Sequence, residues 1–81
     1  MTRLVNEPII VHSSDTEIKA FIWHHRLYRI TRVLSFWRES SRWWNGEPIK
    51  HFARVLAVNR YEGIYELYRA NKKWFLHSIL D

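Results

Sequence analysis

Leu27-Tyr28-Arg29-Ile30-Thr31-Arg32-Val33-Leu34-Ser35-Phe36-Trp37 is the stretch on which the fold turns. Two periods fit it. Tyr28, Ile30, Leu34 and Phe36 share the parity of one strand face, whereas Leu27, Ile30, Leu34 and Trp37 would line one side of a helix. Residue type decides between them. Tyr, Ile, Thr, Val, Phe and Trp dominate and no helix cap precedes them, so the stretch reads as a strand. Arg32 interrupts the apolar parity, which predicts a bulge or a bend near that position.

Upstream, His24-His25-Arg26 makes a connection back to residues 17–23, where Ile18, Ala20 and Ile22 alternate with Lys19, Phe21 and Trp23. Period two over seven residues is a strand, and apolar residues on both faces suggest that both are covered. Ser13-Ser14-Asp15 is turn chemistry. Residues 8–12 form a short first strand with Pro8 at its start, where a missing N–H does least harm. Residues 1–6 read as a loose end. Downstream, residues 51–58 are a fourth strand and residues 63–69 a fifth. Residues 70–73 form a tight polar reversal, and residues 74–80 are a sixth strand, hairpinned to the fifth. Strands at this spacing without helical spacers predict one all-β domain over residues 1–81, six antiparallel strands in a small curled sheet or partly open barrel.

Between the third and fourth strands lies Trp37-Arg38-Glu39-Ser40-Ser41-Arg42-Trp43-Trp44-Asn45-Gly46-Glu47-Pro48, which holds three of the five tryptophans. Asn-Gly favours a turn with positive φ, and Pro48 restricts Glu47. Trp43 and Trp44 are neighbours, so on a strand one indole faces the core and the other the surface.

Eighty-one residues bury about 60–65% of the surface that the unfolded chain exposes, so bulky side chains must supply the core. Thirteen aromatic residues are available, each able to bury about 150–250 Å². There is no cysteine, hence no disulfide and no thiolate zinc site. The first residues lack the apolar run of a signal peptide and no 18-residue apolar segment exists, so a cytoplasmic protein without a membrane role is expected. The net charge is +5, and residues 26–60 carry eight Lys or Arg against two acids. A basic middle between near-neutral flanks attracts polyanions. It equally makes a solvated, soluble surface.

Five histidines are present, but no His-x-His, His-x3-His or HExxH spacing occurs, so no metal ligands are assigned. The serines have no nucleophile elbow, and two glycines leave no phosphate-cradling loop. No catalytic residue, cofactor or enzymatic role is expected. What remains is arginine beside aromatic ring, which suits a protein-binding patch or base stacking with phosphate contacts. Arg26, Arg29 and Arg32 recur every three residues, so an unbroken strand would turn Arg29 away from the other two, and no continuous cationic stripe follows.

Residues 38–44, His51-Phe52, Gly63-Ile64-Tyr65-Glu66-Leu67-Tyr68-Arg69 and Trp74-Phe75-Leu76-His77-Ser78-Ile79-Leu80-Asp81 resemble, in that order, the C-terminal module of ImuB-type proteins. Those are catalytically inactive relatives of Y-family polymerases found in bacterial mutagenesis cassettes. The chain departs from that pattern at Arg42, where a glycine would precede Trp-Trp, and at Ser78, where glycine is usual. Phe21-x-Trp23 and Arg26-x-Tyr28-x-Ile30 are similar to a free-standing bacterial domain of unknown function. The resemblance implies a non-enzymatic accessory of DNA damage tolerance and translesion synthesis. Its expected partner is a protein of a mutagenesis or replication complex, docked on Arg38, Arg42, Trp43, Trp44, His51 and Phe52. Two alternatives stand beside it: direct nucleic-acid binding by Arg26, Arg29, Arg32, Lys50 and Arg54, and a homo-oligomer that buries its spare tryptophans against its own copy.

Overall fold

The computed structural model describes residues 2–14, 17–39, 46 and 49–80. They form six strands: β1 (Thr2–Ser14), β2 (Glu17–Trp23), β3 (Arg26–Glu39), β4 (Lys50–Val58), β5 (Glu62–Ala70) and β6 (Lys73–Leu80). Each pairs antiparallel with the next, and β6 pairs back onto β1, so the barrel is fully closed. The 27–37 stretch is strand, inside β3. The expected loose end is not loose: Thr2, Arg3 and Leu4 pair with Leu80, Ile79 and Ser78 and make half of the closing seam. Closure spares these residues the unpaired N–H and C=O groups that an open edge would expose.

Closing so few strands demands strong curvature, and extra residues in the ladder supply it. The register of β3 against β4 slips twice, leaving Thr31 and Leu34 as the extra residues. The predicted irregularity near Arg32 is therefore a pair of bulges flanking Arg32-Val33. They also re-sort the faces. Tyr28, Ile30 and Val33 turn toward the core, while Leu34, grouped with them on strict parity, is 40% exposed. Further slips occur in β1 between Leu4 and Glu7, between β1 and β2 at His12/Ser13, and between β5 and β6 at Glu66/Leu67.

The barrel interior is filled by Phe21, Trp23, Tyr28, Ala53, Val55, Ala57, Tyr65, Leu67 and Leu76. Phe21 stacks on Tyr28 with ring centroids 4.9 Å apart, and Tyr65 meets both edge-on at 5.5 and 5.4 Å. Small residues face large ones here. The three Ala and Val positions of β4 leave room for the rings of β2, β3 and β5, as a narrow barrel requires. Two connections turn on two residues each, His24-His25 and Asn71-Lys72, all four with φ between 51° and 65°. This is the primed geometry that matches strand twist.

Candidate functional site

A second aromatic cluster lies on the outside of the barrel. Neighbours on a strand point to opposite faces, so Phe52 and Tyr68, beside the core residues Ala53 and Leu67, face outward. Trp37, Phe52, Tyr68, Phe75 and Pro8 are successive cross-strand partners from β3 round to β1. The rings meet in sequence, Trp37 stacked on Phe52 at 5.3 Å, Phe52 tilted against Tyr68 at 5.4 Å and Tyr68 stacked on Phe75 at 4.9 Å. His77 stands edge-on to the middle two rings. The Tyr68 hydroxyl donates to Asn6 Oδ1 at 3.0 Å, tying β5 to β1 across β6. Burial pushes the Tyr68 phenol up, keeping it a neutral donor. Phe52 is 5% and Tyr68 8% exposed. This belt is a structural girdle.

Phe52 therefore cannot share a gripping surface with His51, which faces the other way. Of the remaining residues expected on the partner-binding patch, Arg42, Trp43 and Trp44 lie outside the described residues. Arg38 and His51 do come together, as direct partners on β3 and β4. They continue into a row that sequence reading missed. His51 pairs with Arg69, Arg69 with Trp74, and Trp74 with Ile9. Direct cross-strand partners share a face, so Arg38, His51, Arg69 and Trp74 cross one end of the barrel side by side. Arg38, His51 and Arg69 are exposed and make no ion pair or hydrogen bond among the described residues.

Two residues before Arg38, on the same side of β3, Phe36 stands opposite Ala53 yet is 70% exposed. β3 carries it past the packed core, to the mouth of the barrel. A cavity of about 510 Å³ opens there, lined by Phe36, Ile49, His51, Arg69, Asn71, Lys72 and Trp74. A smaller one of about 260 Å³ adjoins it through the shared residues Phe36, Arg69 and Trp74 and reaches Ser13, Ser14, Glu17 and Ile18. Among the described residues, the larger cavity has no acidic residue in its lining. Glu17, at the edge of the smaller, is held by Lys19 at 2.8 Å, which keeps its carboxyl below the usual range.

The hairpin at this mouth adds a second observation. Lys72 has φ 65°, a conformation that suits Gly or Asn and costs a side chain with a Cβ roughly 1–2 kcal/mol. The turn sets Lys72 in the lining of the cavity.

The alternative basic set divides. Arg26 sits at the opposite end of the barrel with Asn59 and Arg60 around a separate cavity. Arg29 and Arg32 are partnered by Val58 and Leu56, two residues apart on β4, so the Thr31 bulge places both on the outer wall. The expectation that Arg29 would face away from Arg32 is thus overturned: one extra residue restores the shared face. Arg54, also outward, bonds Glu66 at 3.5 Å and lies 5.7 Å from the Trp37 ring centroid. Lys50 sits 5.1 Å over the Tyr68 ring. These last two are occupied by the girdle, leaving Arg29 and Arg32 as a short outer pair.

At the end opposite the mouth, Glu7 Oε1 accepts from the Trp23 indole N–H at 3.1 Å and lies 2.9 Å from His24 Nε2. These bonds, with Arg3 near, hold its carboxyl below the ordinary value. Trp23 in turn stacks on His24 at 4.2 Å. No group of three or more His, Asp or Glu among the described residues could hold a metal ion, and no helix there is long and apolar enough to cross a membrane.

Compared with known proteins, residues 1–81 match a family described as a domain of unknown function, DUF6504. No curated protein matches, nor does any solved structure.

Proposed function

The chain belongs to the DUF6504 family, and we propose that it is a non-enzymatic interaction module that grips an anionic macromolecule at the Phe36 mouth of its barrel. One observation carries the reading. Arg38, His51 and Arg69 stand in one cross-strand row with no ion pair or hydrogen bond among the described residues, beside a phenyl ring that is 70% exposed. Stability does not account for this. The Arg38 and Arg69 guanidinium groups, on the strands either side of His51, repel rather than support each other, and an exposed ring forgoes burial. A partner bringing negative charge and a flat or apolar group relieves both. The cellular setting in this reading is bacterial DNA damage tolerance, as an accessory to translesion synthesis. It is supported by the likeness of Arg38, His51-Phe52 and the last two strands to the C-terminal module of ImuB-type proteins.

Retention on heparin, a generic polyanion, tests the mouth. Arg38→Gln with Arg69→Gln should elute at clearly lower salt than the unaltered protein. Arg26→Gln with Arg60→Gln removes the same charge from the other end of the barrel and should elute close to the unaltered protein. Equal shifts in the two double variants would mean that only net charge matters, and the mouth would lose its claim.

A further inference from the structure

We infer that the occupant of the mouth is single-stranded nucleic acid, with a base seated on Phe36 and its flanking phosphates on Arg38, Arg69 and Lys72. This rests on the reading of the mouth as the working end, and it names the partner class. Three features of the site point to it.

The first is the pairing of a bare ring with guanidinium groups. Bases stack on exposed aromatic side chains while arginine and lysine follow the backbone, and arginine forks a phosphate through two parallel N–H bonds. Arg38 and Arg69 lie two strands apart, about 9–10 Å at their backbones. That spread leaves a gap floored by the His51 imidazole, wide enough for a strand to pass between two cationic walls.

The second is the shape and lining of the cavity. Its volume of about 510 Å³ falls in the ordinary range for a small-molecule pocket, about 300–1,000 Å³. A single unstacked nucleotide is an object of that class; a duplex is not. Trp74 and Ile49 give apolar walls, while the Asn71 amide and the His51 imidazole offer hydrogen bonds to a base edge. In a duplex the base faces are stacked within the helix, so Phe36 would meet nothing.

The third is the absence of acids among the described residues of the lining, which holds Lys72 as well as Arg69. A purely apolar peptide would have no use for either. An acidic peptide would satisfy the cations but leaves the exposed ring without a planar partner. It is the competing class that the experiment separates.

The test is fluorescence anisotropy on the full chain with a labelled oligothymidylate, a duplex of equal length and a labelled polyglutamate peptide, at low and moderate salt. The single strand should bind most tightly. Phe36→Ala should weaken it about tenfold, the loss of one stacked base, with the salt slope unchanged. Arg69→Gln should flatten the slope by about 0.7, one phosphate contact on a single strand. Circular dichroism confirms that each variant folds. Duplex bound as tightly as single strand, or Phe36→Ala within about twofold of the unaltered protein, overturns the inference. Polyglutamate bound and oligonucleotide not bound overturns it too while leaving the mouth as the binding end; no binding of either probe at low salt brings down both readings.

Discussion

Phe52→Ala is the perturbation that most sharply separates the girdle from a gripping surface. If Phe52 were a partner contact, its removal would leave stability nearly untouched, as exposed substitutions do, within about 0.5 kcal/mol. The structure says otherwise. The side chain is 5% exposed and contacts three rings, Trp37 at 5.3 Å, Tyr68 at 5.4 Å and His77 at 5.4 Å. Truncating a buried Phe to Ala costs about 3–5 kcal/mol. One effect opposes this. His77 Nδ1 is buried without a hydrogen-bond partner among the described residues, an arrangement that costs about 1–3 kcal/mol. Opening the wall beside it lets water in, which offsets part of the loss. The net destabilisation is then about 2–3 kcal/mol.

For a domain of this size that lowers the melting temperature by roughly 10–20 °C. Urea unfolding followed by circular dichroism measures it as a lower midpoint with the slope unchanged. A cycle with Trp37→Ala should return a coupling of about 0.5–1.5 kcal/mol for the stacked pair. Phe36→Ala is the control, expected within about 0.5 kcal/mol. A Phe52→Ala protein as stable as the Phe36→Ala one would refute the assignment of the belt to structure and return Phe52 to the binding surface.

Two further outcomes follow from the geometry. Lys72→Gly relieves the strain of φ 65° and should raise stability by about 0.5–1 kcal/mol after the entropy cost of glycine, while eluting earlier from heparin; a variant both less stable and equally retained contradicts the role given to that turn. Glu7 has its carboxyl pKa lowered by the Trp23 and His24 bonds, so it contributes stability above the unfolded-state carboxylate pKa, which is lost as pH falls through the lower folded value. The Trp23 indole N–H resonance should shift through that acidic step, and Glu7→Gln should abolish the shift; a Trp23 signal that ignores pH there would dissociate the pair.

How much of this was legible from residues alone depends on how far each inference had to reach along the chain. The strand count and the β5–β6 hairpin were readable, because a two-residue turn at Asn71-Lys72 fixes its own register. Arg69 opposite Trp74 follows from that turn by counting back, so half of the cationic row was available in principle. Arg38 opposite His51 was not derivable. Those strands are joined through ten residues, and a connection of that length does not specify register. The bulges at Thr31 and Leu34 were equally hidden in detail. Each adds one residue, so strict alternation misplaced Arg32 relative to Arg29 and chose Leu34 over Val33. Closure by Thr2–Leu4 escaped because the segment they open carries little apolar alternation; their pairing is imposed by β6. The grouping of His51 with Phe52 is different. The alternation that separates Trp43 from Trp44 on a strand separates these two as well, and no coordinates were needed to see it.

The two faces of β4 explain why so small a barrel carries so many rings. An interior limited to six strands cannot hold all of them: Phe21, Trp23, Tyr28 and Tyr65 fill it, against Ala53, Val55 and Ala57. The surplus is laid outside, where Trp37, Phe52, Tyr68 and Phe75 seal one another. Their positions span β3 through β6, and Asn6 and Pro8 bring in β1. Five of the six strands are thereby clamped from without, close to the mouth, since Phe52 adjoins His51 and Tyr68 adjoins Arg69 in sequence. A cationic row needs such support. The repulsion between the Arg38 and Arg69 guanidinium groups, on the strands either side of His51, works against the pairing of this sheet end, and the girdle one residue behind holds Arg38, His51 and Arg69 in register whether or not a partner is present. The aromatic residues that touch no partner thus set the preorganisation of those that do, and weakening the girdle should lower affinity at the mouth without touching any group that lines it.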